Sequence, residues 1–231
     1  MKISILSCGP GLPEIVNKYG HSSEWIPAFI DIPSIQYEVI KVYENREVLI
    51  NNFDAVIITG SKYSVYDDKE WIYKLKKKVK NIISMKKPVL GICFGHQILA
   101  SCLGATVRKN DKGWELGSYN ISINNKGLNS PLFSGINDNE IFYESHQDVV
   151  MSLPDHLIEL AVTDKANQSF CYKDLVYGVQ FHPEFSFDII KKLVSLRIEK
   201  GIEVDSNIIN ESIKGKILLN NFIKIVKASM K

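Results

Sequence analysis

"PVLGICFGHQILASCLG", residues 88–104, sets a cysteine between two glycines where one periodicity gives way to another. Val89, Leu90 and Ile92 form the short apolar run of a strand buried on both faces. Ile98, Leu99, Cys102 and Leu103 then recur at spacings of three and four, which is helical. Cys93 stands at the junction. Upstream, "KISILSC" (2–8), "IQYEVIKVY" (35–43) and "DAVIITG" (54–60) read as further strands. "DDKEWIYKLKKKVKNIISM" (67–85) places Trp71, Leu75, Val79, Ile82 and Ile83 on one helical face, with Asp67, Asp68 and Glu70 in its first turn. Strands alternating with helices build βαβ units. The expected fold class is therefore α/β, with a doubly wound, mostly parallel sheet.

After residue 104 the texture changes. "GSYNISIN" (117–124), "NEIFYES" (139–145), "IELAVTD" (158–164), "QSFCYK" (168–173) and "LVYGVQF" (175–181) are short strands lying close together. Lys173-Asp174 reads as a hairpin turn between the last two. This half is expected to extend the sheet with added antiparallel strands. Two helical segments close the chain, at 187–200 and 207–228, and "GIEVDSN" (201–207) between them is the candidate hinge. With no repeat, low-complexity segment or composition shift, residues 1–231 are expected to form a single domain.

The composition excludes several functions. Of 231 residues 45% are apolar, enough for a full core, and 28 basic against 26 acidic side chains leave a net charge of +2. That balance argues against nucleic-acid or membrane-surface binding. No run approaches 18 apolar residues, and the apolar stretch before Ser7 is too short for a secretory signal, so a cytoplasmic protein is expected. The four cysteines show neither close pairing nor CxxC spacing, which suits a reducing compartment. Eight lysines lie between 69 and 87; they read as a solvated face, with a docking patch for an acidic partner as the rival reading.

The chemistry starts from G-x-C-x-G at a strand-to-helix turn. A nucleophile on a sharp elbow projects its side chain, and flanking glycines remove Cβ atoms that would collide. The helix N-terminus favours thiolate, and the unsatisfied N–H groups of its first turn, starting with Phe94, point where an oxyanion would form. A buried structural cysteine is the rival reading of this pentapeptide alone. In "YGVQFHPEF" (177–185) a β-run ends at Phe181, and His182 follows at the strand's C-terminal edge, where sites assemble in parallel sheets. Glu184 is close enough to orient the imidazole, completing nucleophile, base and orienter.

"GICFGHQILA" together with "GVQFHPEF" resembles the class I glutamine amidotransferases, the glutaminase domain found in GMP synthase and its relatives. "VIITGS" is similar to their oxyanion loop, "LPDHLIELAVTD" to the segment before the last hairpin, and "ILLNNFIKI" to the closing helix. The resemblance implies a flavodoxin-like fold, with Cys93 as nucleophile, His182 as general base and Glu184 as its orienter. It implies oxyanion-hole amides at Gly60 and Phe94, and substrate contacts at Gln97, Ser145, His146 and Gln147. Ser61 stands where the family often has a second glycine. No ATP-pyrophosphatase signature occurs, and "GWELG" (113–117) and "SHQDVV" (145–150) resemble the stand-alone, GMP-synthase-like branch, some of whose members cleave γ-glutamyl peptides.

The implied activity is hydrolysis of a γ-glutamyl amide bond through a γ-glutamyl thioester, releasing ammonia or an amine plus glutamate. It requires neither cofactor nor metal; its partners are a small-molecule substrate and, in one version, a separate synthetase subunit. The alternative is a γ-glutamyl peptidase acting on peptides or conjugates, and a non-catalytic interaction protein keeping the fold is a minor one. For His146 a structural hydrogen bond stands beside substrate contact, and Trp114 and Glu115 stay open between a specificity surface and a packed loop. His21 and His156 read as exposed, Cys8, Cys102 and Cys171 as small core residues. His96, three after Cys93, imitates metal spacing without a second pair to complete a ligand set.

Overall fold

The computed structural model describes residues 1–44, 53–204 and 209–230. Its strands are β1 (Lys2–Ser7), β2 (Gln36–Lys41), β3 (Ala55–Ile58), β4 (Val89–Ile92), β5 (Thr106–Lys109), β6 (Glu115–Ile123), β7 (Glu140–His146), β8 (Asp148–Ser152), β9 (Ile158–Val162), β10 (Asn167–Tyr172) and β11 (Val176–Val179). Nine of them form one sheet in the order β2-β1-β3-β4-β11-β10-β9-β6-β7, while β5 and β8 pair separately. From β2 through β11 every pairing is parallel; from β11 through β7 every pairing is antiparallel. The doubly wound sheet with added antiparallel strands is thus the fold expected from the sequence.

Strand alternation divides the core between two faces. Ile3, Ile5, Ala55, Ile57, Leu90 and Ile92 point to one face, where they meet Ile26 of α2 (Ser22–Ala28) and Leu218, Phe222 and Val226 of α7 (Lys214–Ser229). Leu6, Val56, Ile58 and Val89 point to the other, against Trp71, Leu75 and Val79 of α3 (Glu70–Ser84) and Ile98 and Leu99 of α4 (Phe94–Cys102). A third cluster joins α1 (Pro13–Tyr19) to α6 (Phe187–Ile198) through Ile15, Ile189, Ile190 and Leu193, and the single-turn α5 (Asn125–Leu128) follows β6. Among the described residues no helix is long and apolar enough to cross a membrane.

Several boundaries differ from the sequence expectation, each for a local reason. The helix expected from 67 starts at Glu70, because Asp67 and Asp68 belong to the preceding turn: Asp67 Oδ2 accepts the Ser64 N–H at 3.2 Å. The helix expected from 207 starts at Lys214. Ser212 holds the segment before it against β7, its N–H donating to the Tyr143 hydroxyl and its own hydroxyl to the Ile141 carbonyl. Of the candidate hinge at 201–207, residues 205–207 lie outside the described residues. The hairpin at Lys173-Asp174 forms, with three residues, Lys173, Asp174 and Leu175, between the paired Tyr172 and Val176, and with Lys173 and Asp174 both at positive φ.

Candidate active site

Because β1, β3, β4 and β11 are parallel and in register, their C-terminal ends lie along one edge, where an open α/β sheet places its sites. Ile92 pairs with Val179, so Cys93, one residue past β4, and His182, three residues past β11, emerge side by side. The Cys93 N–H donates to the Val179 carbonyl at 2.8 Å, and the His182 N–H to the Tyr143 carbonyl at 2.8 Å, fixing both backbones.

The elbow has the geometry its glycines suggest. Cys93 adopts φ 52° and ψ −102° at the N-terminus of α4. A Cβ on Gly91 would lie 2.3 Å from the Gly95 carbonyl oxygen, and one on Gly95 would lie 2.2 Å from the Ile58 carbonyl oxygen, so neither position admits a side chain. Gly60, in the loop after β3, faces the side chains of both His182 and Cys93: a Cβ there would stand 2.9 Å from His182 Cε1 and 3.6 Å from Cys93 Cβ. Phe94 is the first residue of α4, so its N–H is among the four that no intrahelical carbonyl takes.

His182 Nδ1 lies 2.8 Å from Glu184 Oε1, and both side chains are buried. Burial works against a charged imidazole, but the neighbouring Glu184 and Cys93 outweigh it and push His182 up to about 10. Phe185 stacks on the imidazole at 3.9 Å between ring centres and 8° between planes, and Trp25 meets Phe185 edge-on. The other three thiols are held protonated: burial pushes Cys8 up strongly, and Cys102 and Cys171 to about 11.

A cleft of about 110 Å³ brings together Gly60, Cys93, Ser145, His182 and Glu184. Its remaining walls come from the loops after β1 and β3, including Lys62, and from the region of α1, α2 and α6, through Leu12, Ile15, Trp25, Leu193 and Arg197. Gln97, His146 and Gln147 do not line it. Gln97 donates its amide N–H groups to the Asp148 carbonyl at 2.8 Å and to Gln180 Oε1 at 3.1 Å, and the Gln147 carbonyl accepts the Asn110 N–H. On β7, Ser145 faces the cleft, while Glu144 and His146, on the opposite face, are buried. There His146 Nε2 sits 3.0 Å from Glu144 and 3.3 Å from Glu115, whose carboxylate also accepts from Thr163 and Gln168. Glu115 is therefore a packed, buried residue.

Phe185, Trp25 and Arg197 gave no functional signal in the sequence. Phe185 stood inside the quoted "HPEF" and its stacking could have been suspected, whereas Trp25 and Arg197 reach the cleft only through tertiary packing. His21, expected to be exposed, is half-buried: it caps α2 and bonds the Gly9 carbonyl at 2.8 Å. His156 is exposed and His96 is fully buried. Cys8 and Cys171 are core residues, whereas Cys102 is only half-buried.

Residues 16–192 match the family model for glutamine amidotransferase class-I. Gamma-glutamyl peptidase 5 of Arabidopsis thaliana is 34% identical over 156 residues, which are 64% of this chain and 62% of that protein. The glutamine-hydrolyzing GMP synthase of Sulfurisphaera tokodaii contains one subunit that is 34% identical over 163 residues, 70% of this chain and 78% of that one. A glutamine amidotransferase of Thermotoga maritima of known crystal structure superposes with a TM-score of 0.74 at 19% identity, covering 97% of this chain and 98% of that one.

Proposed function

Given that the chain belongs to the class-I glutamine amidotransferase family, we propose that it hydrolyses a γ-glutamyl amide through Cys93, His182 and Glu184. The observation that carries this reading is the constellation itself: a cysteine on a strained elbow beside an imidazole that a buried carboxylate grips at 2.8 Å.

The Cys93 sulfur, with its proton on His182, attacks the δ-carbonyl carbon, and the carbonyl π electrons move to oxygen. Gly60 and Phe94 offer backbone N–H groups to that oxyanion, each donor contributing about 2.7–4 kcal/mol to the lowered barrier. As the tetrahedral intermediate collapses the C–N bond breaks, and the His182 imidazolium gives its proton to the leaving nitrogen. Water, deprotonated by His182, then attacks the γ-glutamyl thioester; the C–S bond breaks and glutamate leaves. Glu184 acts through His182 by fixing the ring and stabilising its charge. Ser145 is the remaining candidate substrate contact inside the cleft; Gln97, His146 and Gln147 act behind it.

The leaving group is the finer question. The resemblance to part of a GMP synthase supports ammonia release toward a separate synthetase, and the resemblance to a γ-glutamyl peptidase supports release of an amine. The apolar walls that α1, α2 and α6 add beside Cys93 favour the second, because ammonia needs no such surface. The test is a panel of glutamine and γ-glutamyl dipeptides assayed alone and with cell extract. Partner-independent release from at least one dipeptide is expected, with none from Cys93→Ala. A glutamine-mimicking electrophile should label Cys93 and spare Cys8, Cys102 and Cys171; labelling spread over the four, or activity surviving in the variant, would sink the assignment.

A further inference from the structure

Arg197 sits in the last turn of α6 and lines the same cleft as Cys93 and His182. Its guanidinium carbon lies 5.0 Å above the Trp114 ring, which holds the group against an aromatic face. Its Nε is buried with no hydrogen-bond partner, and among the described residues no carboxylate pairs with it. A cation in the last turn is favourable to the helix dipole, and stacking explains where the side chain lies. Neither satisfies the buried Nε–H, and the planar fork of the guanidinium matches a carboxylate.

The lining of the cleft carries the argument further. Apart from His182 and Glu184, which are engaged with each other, its charged side chains are Arg197 and Lys62. Lys62 is exposed, with its ammonium over the Tyr63 ring. Leu12, Ile15, Val16, Trp25, Phe185 and Leu193 supply an apolar surface from α1, α2, α6 and the residues that lead into them, and α6 also carries Arg197. An apolar wall with one unpaired guanidinium in it is complementary to an apolar amino acid bearing a free carboxylate.

Resting on the γ-glutamyl hydrolase reading above, we infer that Arg197 binds the carboxylate of the leaving group. The preferred substrates are then γ-glutamyl amino acids or short peptides with an apolar residue after the scissile bond. Arg197 is a specificity residue and takes no proton in the reaction; it favours those compounds over glutamine by a contact that ammonia cannot make.

The experiment compares γ-glutamyl-phenylalanine with γ-glutamyl phenethylamide, which has the same ring and chain but no carboxylate on the leaving amine. A hydrogen-bonded charge pair gives an expected kcat/KM ratio of about 10- to 100-fold in favour of the carboxylate. Arg197→Gln should bring that ratio close to one, and Arg197→Lys, which keeps charge but loses the fork, should leave an intermediate value. Because the readout is a ratio within one preparation, partial loss of folded enzyme does not mimic it, and the wild-type ratio tests the idea even if a variant fails to fold. A wild-type ratio near one overturns the inference while leaving the hydrolase reading in place. So does a loss in Arg197→Gln that is equal for both compounds, since the guanidinium would then hold the α-carboxylate of the glutamyl half. Turnover of neither compound by the wild type removes the hydrolase reading and the inference with it.

Discussion

Cys93, at φ 52° and ψ −102°, occupies a region that glycine enters freely and that costs other residues about 1–3 kcal/mol. The fold holds it there by the Val179 carbonyl on one side and the first turn of α4 on the other. Cys93→Ala keeps that strain and should stay folded. Cys93→Gly relieves it and should unfold at higher denaturant than the alanine variant, by about 1–2 kcal/mol. Equal midpoints for the two variants would mean that the strain at the elbow is no larger than the unfolded-state entropy cost of glycine, about 0.4–1 kcal/mol. Glu184 poses a different test at the same scale. It is the first of the charges that raise His182, so Glu184→Gln should bring the alkaline limb of the pH–rate profile down from about 10 toward the ordinary imidazole range, besides lowering kcat with little change in KM. An unmoved limb would assign the raised proton affinity to Cys93 instead.

At the scale of elements, β7 is the strand that serves two sides. Ser145 faces the cleft, and on the opposite face Glu144 and His146 meet Glu115 of β6 across the register pair Glu115↔His146. Replacing His146 by alanine leaves two buried carboxylates facing each other, so His146→Ala should lose about 3–5 kcal/mol of stability in a denaturant titration. A loss below about 1 kcal/mol would show that water already solvates the array. Nothing in "GWELG" or "SHQDVV" announced this pairing, because it depends on the antiparallel register that sets Glu115 opposite His146, 31 residues on in sequence. The parallel half was legible because its strands are near-continuous apolar runs and its helix shows a clear 3.6-residue period. The Cys93, His182 and Glu184 constellation was legible because strand ends and a strand-to-helix elbow leave strong local marks. α1 and α2 were not read, although Pro13, Glu14, Lys18 and Gly20 are start and stop signals, because seven residues are too few for a period to emerge. β5 and β8 were missed because they lack the continuous apolar run that marks β3 and β4: β5 is largely exposed, and β8 is buried only at Val149 and Val150. Arg197 and Trp25 were invisible as cleft residues since only the packing of α1 and α2 beside α6 brings them to Cys93.

For the whole molecule, the sheet's switch from parallel to antiparallel pairing at β11 gathers the buried charge around one region. Glu184 and His182 follow β11, and Glu115, Glu144 and His146 lie on β6 and β7. This concentration sets the pH dependence of folding. His182 and His146 both resist charging by burial, but adjacent carboxylates outweigh it and raise each to about 10. A histidine raised above its unfolded value stabilises the fold fully below that value, about 6.5, and loses the contribution as pH climbs toward 10. Glu144, raised by burial to about 7, has the same sign, its contribution fading from its unfolded value upward. His96 acts oppositely: burial lowers it to about 3, so folding is penalised as pH falls below its unfolded value. Between the unfolded histidine value and 10 the native state holds more protons than the unfolded chain. Thermal unfolding should therefore move to lower temperature from about pH 6.5 to pH 9.5, and unfolding near pH 8 should release protons. Calorimetry in buffers of different ionisation enthalpy measures that release directly. It should shrink in His146→Ala, which removes one of the two titrating imidazoles. A Tm that stays flat over the range, or proton uptake on unfolding at pH 8, would mean that His146 and His182 are neutral in the folded protein and that His182 begins the reaction as a base without its proton.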